Sequence, residues 1–392
     1  MALPLQLPNS STLAQLLDQN QLHARSNVQR ILIQPCESID WLSAIDTLSE
    51  YNDLLLSQLL GLSQENQDKL PLLDDIVILI IDLSYFHQGI ILDSLQRAYD
   101  TPETGSQLWS NNGPYLKNGL GYTDYLSYLL LKFQYTTPHF SLVNELALQF
   151  KLLQQLGVII LTLSKLRSKI YANGKNAILD FQELELKELS KSSLFLAKLC
   201  IGCQDLMSTN NNKQLIAYLK GLTYLFLSMD EYRNDQCGVA IGMLKQCIFC
   251  LSNIIPLSQL NSTILSEKTI NKKSMFKLKF AQKKTKLKTN LEDTIQIKKK
   301  KEGGDTVNIN LIHLLKDTLD DFIIPLITLL NYRYNKTNDK LTFMPIEEDI
   351  KKLQALIPRG KTSDLVGTKW DFRNGKLRQE ASSSNSGKED YF

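Results

Sequence analysis

Residues 217–251, AYLKGLTYLFLSMDEYRNDQCGVAIGMLKQCIFCL, constrain the fold more than any other stretch. Leu219, Leu222, Leu225, Phe226 and Met229 recur at steps of three and four. Val239, Ala240, Met243, Leu244, Cys247 and Ile248 repeat the pattern after the polar break Asn234-Asp235-Gln236. This spacing gives each of two helices an apolar face. Gly221, Gly238, Ala240 and Gly242 interrupt the bulky residues, so two backbones can approach closely. The stretch reads as an αα-hairpin, a unit that leaves apolar surface uncovered unless neighbours pack on both sides.

The rest of the chain is expected to supply those neighbours. Apolar residues make up 43% of 392, enough for a sizeable core, and the 18 glycines and 11 prolines favour helices over a turn-rich β fold. The expected fold is all-α, with few or no strands. Helices are expected from Ser11 through Leu17, over 40–62 with Ser38 as N-cap, and over 72–99 with Asp74 and Asp75 at the N-terminal end. Residues 100–123, rich in Gly, Pro and Asn, read as a loop followed by a short helix. A long helix over 141–172 is apolar on two sides and stops at Asn173-Gly174; another runs over 181–207, and Asn210-Asn211-Asn212 turns into the opening hairpin. Pro256 ends that hairpin. Helix returns over 308–333 with a kink at Pro325, and 335–361 reads as an extended loop, a short helix and a proline stop. The predicted organisation is one helical domain over 1–378, interrupted by an insertion at 257–307, with a disordered polar tail at 379–392.

The net charge of +3 conceals an asymmetry. Residues 268–301 carry thirteen lysines against Glu292 and Asp293, which leaves the remainder mildly acidic. Lys272, Lys273, Lys277, Lys279, Lys283, Lys284, Lys286 and Lys288 alternate with Phe276, Leu278, Phe280 and Leu287. A segment of this kind suits an anionic membrane surface, at about 1 kcal/mol per lysine near the lipid. The alternative is nucleic acid bound through 268–301, although no base-reading motif accompanies the run; the blandest reading is a solvated loop.

Catalytic and metal patterns are weak. Cys200-x-x-Cys203 and Cys247-x-x-Cys250 are separated by 43 intervening residues in apolar helical sequence, where two thiols at i and i+3 read as core rather than as zinc ligands. Gly360-Lys361-Thr362 imitates the end of a phosphate-binding loop, but Ala355 stands where that loop needs glycine, so a turn after Pro358 is expected. His23, His87, His139 and His313 form no ligand pair. No cofactor, metal or catalytic residue is expected. The first residues, MALPLQLPNSSTLAQLL, have no basic n-region or cleavage site, and the longest apolar runs look too short to span a bilayer. The expected compartment is therefore the cytoplasm, with thiols reduced and the sequons at Asn9, Asn261 and Asn335 unused.

Five stretches stand out together: LPLQLPNSST at 3–12, DWLSAIDTLSEYNDLLLSQLLGL at 40–62, HFSLVNELALQFKLLQQLGVIILTLSKL at 139–166, the helical stretch 194–247, and NKTNDKLTFMPIEEDIKKLQALIPRGK at 335–361. In this order they resemble a BRO-type domain, specifically the fungal PalC-like pH-response regulators. The sequence departs from the family pattern in the lysine-rich 268–301, and in Arg359 and Ile346 of the closing stretch. The resemblance implies a boomerang-shaped helical domain with a tetratricopeptide-like core and no catalysis. It implies an adaptor that binds the C-terminal amphipathic helix of the filament-forming ESCRT-III subunit and helps assemble a protease complex of the Rim/Pal alkaline-pH pathway. Such a protein is cytoplasmic and recruited to endosomal or cortical membranes. Carried onto this chain, the partner-helix positions fall near Cys203, Gln204, Leu206, Ala217, Tyr218 and Lys220. Gln204 and Lys220 are polar where relatives carry apolar groups, so the predicted contact set is Cys203, Leu206, Leu215, Tyr218 and Leu219. As residues of a helical scaffold, the same side chains equally suit the core.

Overall fold

The protein is described by a computed structural model, covering residues 4–35, 38–62, 69–171, 183–207, 212–254, 309–362 and 364–380. The lysine-rich stretch, the Asn173-Gly174 stop and the tail beyond 380 lie outside the described residues. The described chain is helical apart from one hairpin. Its helices are α1 (Ser11–Leu16), α2 (Gln19–Ile33), α3 (Trp41–Gly61), α4 (Lys69–Asp100), α5 (Gly105–Ser110), α6 (Gly113–Lys132), α7 (Phe140–Tyr171), α8 (Glu183–Leu189), α9 (Ser193–Leu206), α10 (Lys213–Arg233), α11 (Cys237–Leu251), α12 (Ile309–Thr318), α13 (Ile324–Thr337) and α14 (Ile350–Ala355). Strands β1 (Trp370–Arg373) and β2 (Lys376–Gln379) pair antiparallel, Trp370 opposite Gln379. The chain forms two compact units, one of Gln96–Ser106 and Gln155–Ser363, the other of Ala2–Leu95, Gln107–Gln154 and Asp364–Phe392. By position in the sequence, the middle against the two ends, they are called the central and the outer unit below.

The outer unit is organised along one stripe of α4. Asp75, Asp82 and Gly89 are seven residues apart, so they share a face. Asp75 is buried and takes hydrogen bonds from Arg25 Nε and the Tyr51 hydroxyl, both 2.9 Å. Arg25 also donates to Pro8 O, which ties the extended N-terminal segment to α2. Asp82 Oδ1 accepts the Leu5 amide at 2.8 Å, and Oδ2 has no partner among the described residues. At Gly89 the Trp41 ring lies where a Cβ would be, 3.0 Å away, and Trp41 Nε1 reaches Asp93 at 2.9 Å. Leucines and isoleucines fill the spaces between these anchors and form one core with α3 and α6. Neutral Leu5 and Leu7 are buried there, so burial dominates at Asp82 and pushes its pKa well above the carboxylate range. The hairpin joins the same core, with Trp370 stacked on Tyr122 at 4.7 Å and the Leu377 amide bound to Asp53 at 2.9 Å.

In the central unit, α10 packs against both α9 and α11, as the opening hairpin requires. Tyr218 Oη pairs with Thr318 Oγ1 at 2.8 Å, and the Tyr232 and Tyr334 rings stack at 4.3 Å, so α12 and α13 cover the inner side of α10. A π-helical turn, Leu319–Ile323, separates α12 from α13. Its cause is Pro325, which lacks the N–H that Asp321 O would accept in a regular helix. The Tyr171 hydroxyl donates to that carbonyl instead, at 3.0 Å. Arg167, stacked on Tyr99, binds the Asp321 carboxylate at 2.6 Å.

Several local expectations are corrected. Residues 113–123 are helical despite their glycines, because Pro114 occupies the first turn, where it needs no N–H partner. Asp40, not Ser38, caps α3, and Ser10 caps α1. The 181–207 stretch is broken by a 3-10 turn at Ser190–Ser192. Asp75 is a buried ion-pair partner rather than a helix-end charge. Helices α4 and α7 are long and apolar enough to cross a bilayer; 94% of the apolar window of α4 and 56% of that of α7 is buried within the protein.

Asp82 generates a pH prediction. Its pKa is raised on folding, so stability is lost as pH rises from the unfolded value of 3.8 through the folded value. Asp82→Asn is expected to be more stable than wild type at pH 8 in urea denaturation, with the difference shrinking toward pH 4. A pH-independent difference contradicts the assignment.

Candidate functional site

The residues chosen from sequence for partner contact gather at the end of α9 and the start of α10, but they do not share one surface. Cys203, Leu215, Tyr218 and Leu219 are at most 2% exposed. Cys203 Sγ points at Gln155 Oε1, 3.5 Å away, and Tyr218 is held by Thr318. Leu206 is partly exposed, Ala217 is partly buried, and Lys220 is exposed. Gln204 turns back to Cys200 O at 3.2 Å and to Thr223 Oγ1 at 3.0 Å. The side chains of the chain itself therefore occupy the inner face of this pair. On the outward stripe of α9, Phe195, Gly202 and Leu206 follow at i, i+7 and i+11.

That stripe is covered in part by the chain's own C-terminal segment. Residues 344–349 and 357–362 carry no helix or strand, flank the short helix α14, and lie on α11 and α9. Glu347 N donates to Gly238 O at 3.3 Å, and Lys361 N donates to Lys198 O at 2.9 Å. Both acceptors stand four residues before a helical glycine, Gly242 and Gly202. The position is chemically apt. A helical side chain leans toward the N-terminus and covers the turn before it, so a glycine uncovers the carbonyl one turn back. A Cβ on Gly242 would come 2.2 Å from Glu347 O, and one on Gly202 would come 2.1 Å from Lys361 O.

The outer unit contains the same clasp. Thr368 N donates to Lys117 O at 2.9 Å, four residues before Gly121, where a Cβ would come 2.2 Å from Thr368 O. The α9 and α6 clasps also share a spelling. Lys198-x-x-x-Gly202-x-x-Asp205 and Lys117-x-x-x-Gly121-x-x-Asp124 receive Gly360-Lys361 and Gly367-Thr368. A Cβ on Gly360 would meet Asp205 Oδ2 at 2.6 Å, and one on Gly367 would meet Asp124 Oδ2 at 2.7 Å. Gly360 thus serves close backbone approach; no helix follows it, as a phosphate-binding loop would need. Gly221 takes the Leu251 side chain, whereas Gly238 and Gly242 admit the C-terminal strap rather than another helix.

Side chains complete the strap's seat. Leu353 of α14 is fully buried, and Asp349 caps that helix through the Lys351 amide at 2.9 Å. Lys361 Nζ sits 5.2 Å from the Phe195 ring. At the start of the strap, Phe343 adopts φ 49 and is 74% exposed beside Leu341 at 69%. Asn338 holds this left-handed turn, bonding Met344 O and N at 2.9 and 3.0 Å and Thr342 Oγ1 at 2.8 Å.

The arrangement recognises backbone and apolar surface. The Cys200, Cys203 and Cys247 thiols are pushed up by burial, opposite to the direction that activates a thiolate. Among the described residues no three His, Cys, Asp or Glu side chains are placed to hold one metal ion.

Gly242→Ala is expected to lift the strap from α11 and to destabilise the protein by about 1–3 kcal/mol, the range for overpacking. Gly61→Ala, where nothing lies within 4 Å of the new Cβ, is its control. Equal urea midpoints for the two variants contradict the clasp.

Residues 70–392 match the family described as a family of unknown function, DUF5355. The protein described as uncharacterized protein YGR122W of Saccharomyces cerevisiae is 39% identical over 389 residues, covering 96% of this chain and 94% of that one. A solved chain described as "Structure basis for endosomal targeting by the Bro1 domain" aligns over 83% of this chain and 94% of its own, at 14% identity and a TM-score of 0.34. The match over residues 70–392 and the yeast relative place this chain in the DUF5355 family.

Proposed function

We propose that this chain is a non-enzymatic adaptor of the BRO type that binds the C-terminal amphipathic helix of the filament-forming ESCRT-III subunit. In this reading it serves alkaline-pH signalling of the Rim/Pal kind, from the cytoplasm to endosomal or cortical membrane sites, where it helps assemble a protease complex. The five-stretch sequence resemblance motivates the family. The observation that carries the site is the outward stripe of α9, where Phe195 is 43% exposed and Leu206 is partly exposed beside a layer of packed helices. An amphipathic helix docks on such a layer through apolar anchors at i, i+3, i+4 and i+7. Leu206 is the contact residue in this reading, and Cys203, Leu215, Tyr218 and Leu219 support it from beneath. Lys272, Lys273, Lys277, Lys279, Lys283, Lys284, Lys286 and Lys288 serve as an auxiliary contact to anionic lipid.

The test is fluorescence anisotropy with a labelled ESCRT-III C-terminal helix peptide. Wild type is expected to bind, and Leu206→Asp to weaken binding at least tenfold with its circular dichroism unchanged. Leu215→Asp, which buries a charge, is expected to unfold the unit by several kcal/mol. No binding by wild type, or undiminished binding by Leu206→Asp, contradicts the reading.

A further inference from the structure

The outward stripe of α9 is shared between the proposed partner contact and the chain's own strap. Gly202 lies one turn before Leu206 and two turns after Phe195 on that stripe. Lys361 docks at Gly202 through its backbone and places its ammonium over Phe195. Gly360 abuts Asp205 and the Gly202 amide, the residues immediately before Leu206 and at its i−4 position. A helix laid along Phe195 and Leu206 therefore meets the space held by Gly360 and Lys361.

The strap's hold on α9 is light. Among the described residues its polar contacts are one backbone hydrogen bond and one lysine–aromatic contact, beside the close fit of two glycines. A hydrogen bond of this kind contributes about 1 kcal/mol net, and an exposed cation–π contact about 0.5–1 kcal/mol. Lys361 and Thr362 are exposed. On α11 the same strap is anchored more firmly, by buried Leu353 and a second clasp at Gly242. Release at α9 can thus occur with the rest of the strap in place.

We propose that residues 360–362 are a built-in competitor for the α9 stripe, and that the partner helix binds by displacing them from the Gly202 clasp. The inference rests on the adaptor reading above and adds its regulation. Binding is then a difference between two docked states, so weakening the strap raises the apparent affinity. The competitor is this chain's own segment, seen seated on the stripe.

Two variants test the displacement. Lys361→Pro removes the N–H that Lys198 O accepts and changes nothing in a helix. Gly202→Ala places a Cβ 2.1 Å from Lys361 O. Gly202→Ala is expected to speed proteolytic cleavage at 359–362, and both variants are expected to bind the ESCRT-III helix peptide 3–10-fold more tightly than wild type. If Gly202→Ala cleaves faster but both variants bind with wild-type or lower affinity, the strap is not a competitor and the adaptor reading stands. If Gly202→Ala does not cleave faster, the α9 hold is not as described and the proposal fails. If neither wild type nor either variant binds the peptide, the adaptor reading fails and the competition fails with it.

Discussion

A missing Cβ on a helix surface is the constraint on which much of this structure depends. Helical side chains shield the carbonyls of the turn before them, and those carbonyls are already bonded within the helix. Where Gly121, Gly202 and Gly242 remove that shield, an extended backbone drops to van der Waals contact and shares the carbonyl four residues earlier. The strap has little regular structure of its own to satisfy its amides, so these shared carbonyls supply part of what it needs. The same device recurs within each unit: residues 343–362 are held to α11 and α9 in the central unit, and Gly367-Thr368 to α6 in the outer one.

Buried polar groups play the complementary part in the outer unit. Asp75 and Asp82 sit on the apolar stripe of α4 and fix the N-terminal segment through Arg25 and through the Leu5 amide. Asp75 is paired, whereas Asp82 has only a backbone donor, which is why burial raises its pKa so far. A carboxyl whose pKa burial raises costs stability at neutral pH. His87, lowered to about 4 by the same burial, is likewise a core residue held to Leu83 O at 2.8 Å.

The helices with strong 3.6-residue periodicity were legible in the sequence, with α3, α4, α7, α10 and α11 within a few residues of their bounds. What escaped was carried by single residues. The capping box Asp18–Gln21 announces α2, whose apolar face is too sparse for periodicity to show. Asn374-Gly375, both at positive φ, announces the hairpin. Gly119 and Gly121 read as loop punctuation, because their purpose is contact with distant partners, the Phe150 ring and the strap, and Pro114 does so because a first-turn proline looks the same as a loop proline. Of the candidate site, the neighbourhood was legible and the facing was not. Helical spacing alone cannot tell which of two apolar sides meets solvent, and Thr318 and Gln155, far away in sequence, decide it for Tyr218 and Cys203.

The account's central claim is that three strap amides are paired to helix carbonyls at glycine positions. Native-state amide exchange across 343–369 in the wild-type protein tests it directly. Glu347, Lys361 and Thr368 are predicted to exchange far more slowly than exposed Glu348, Thr362 and Val366. Uniformly fast exchange along the strap, with these three no slower than their neighbours, would contradict it.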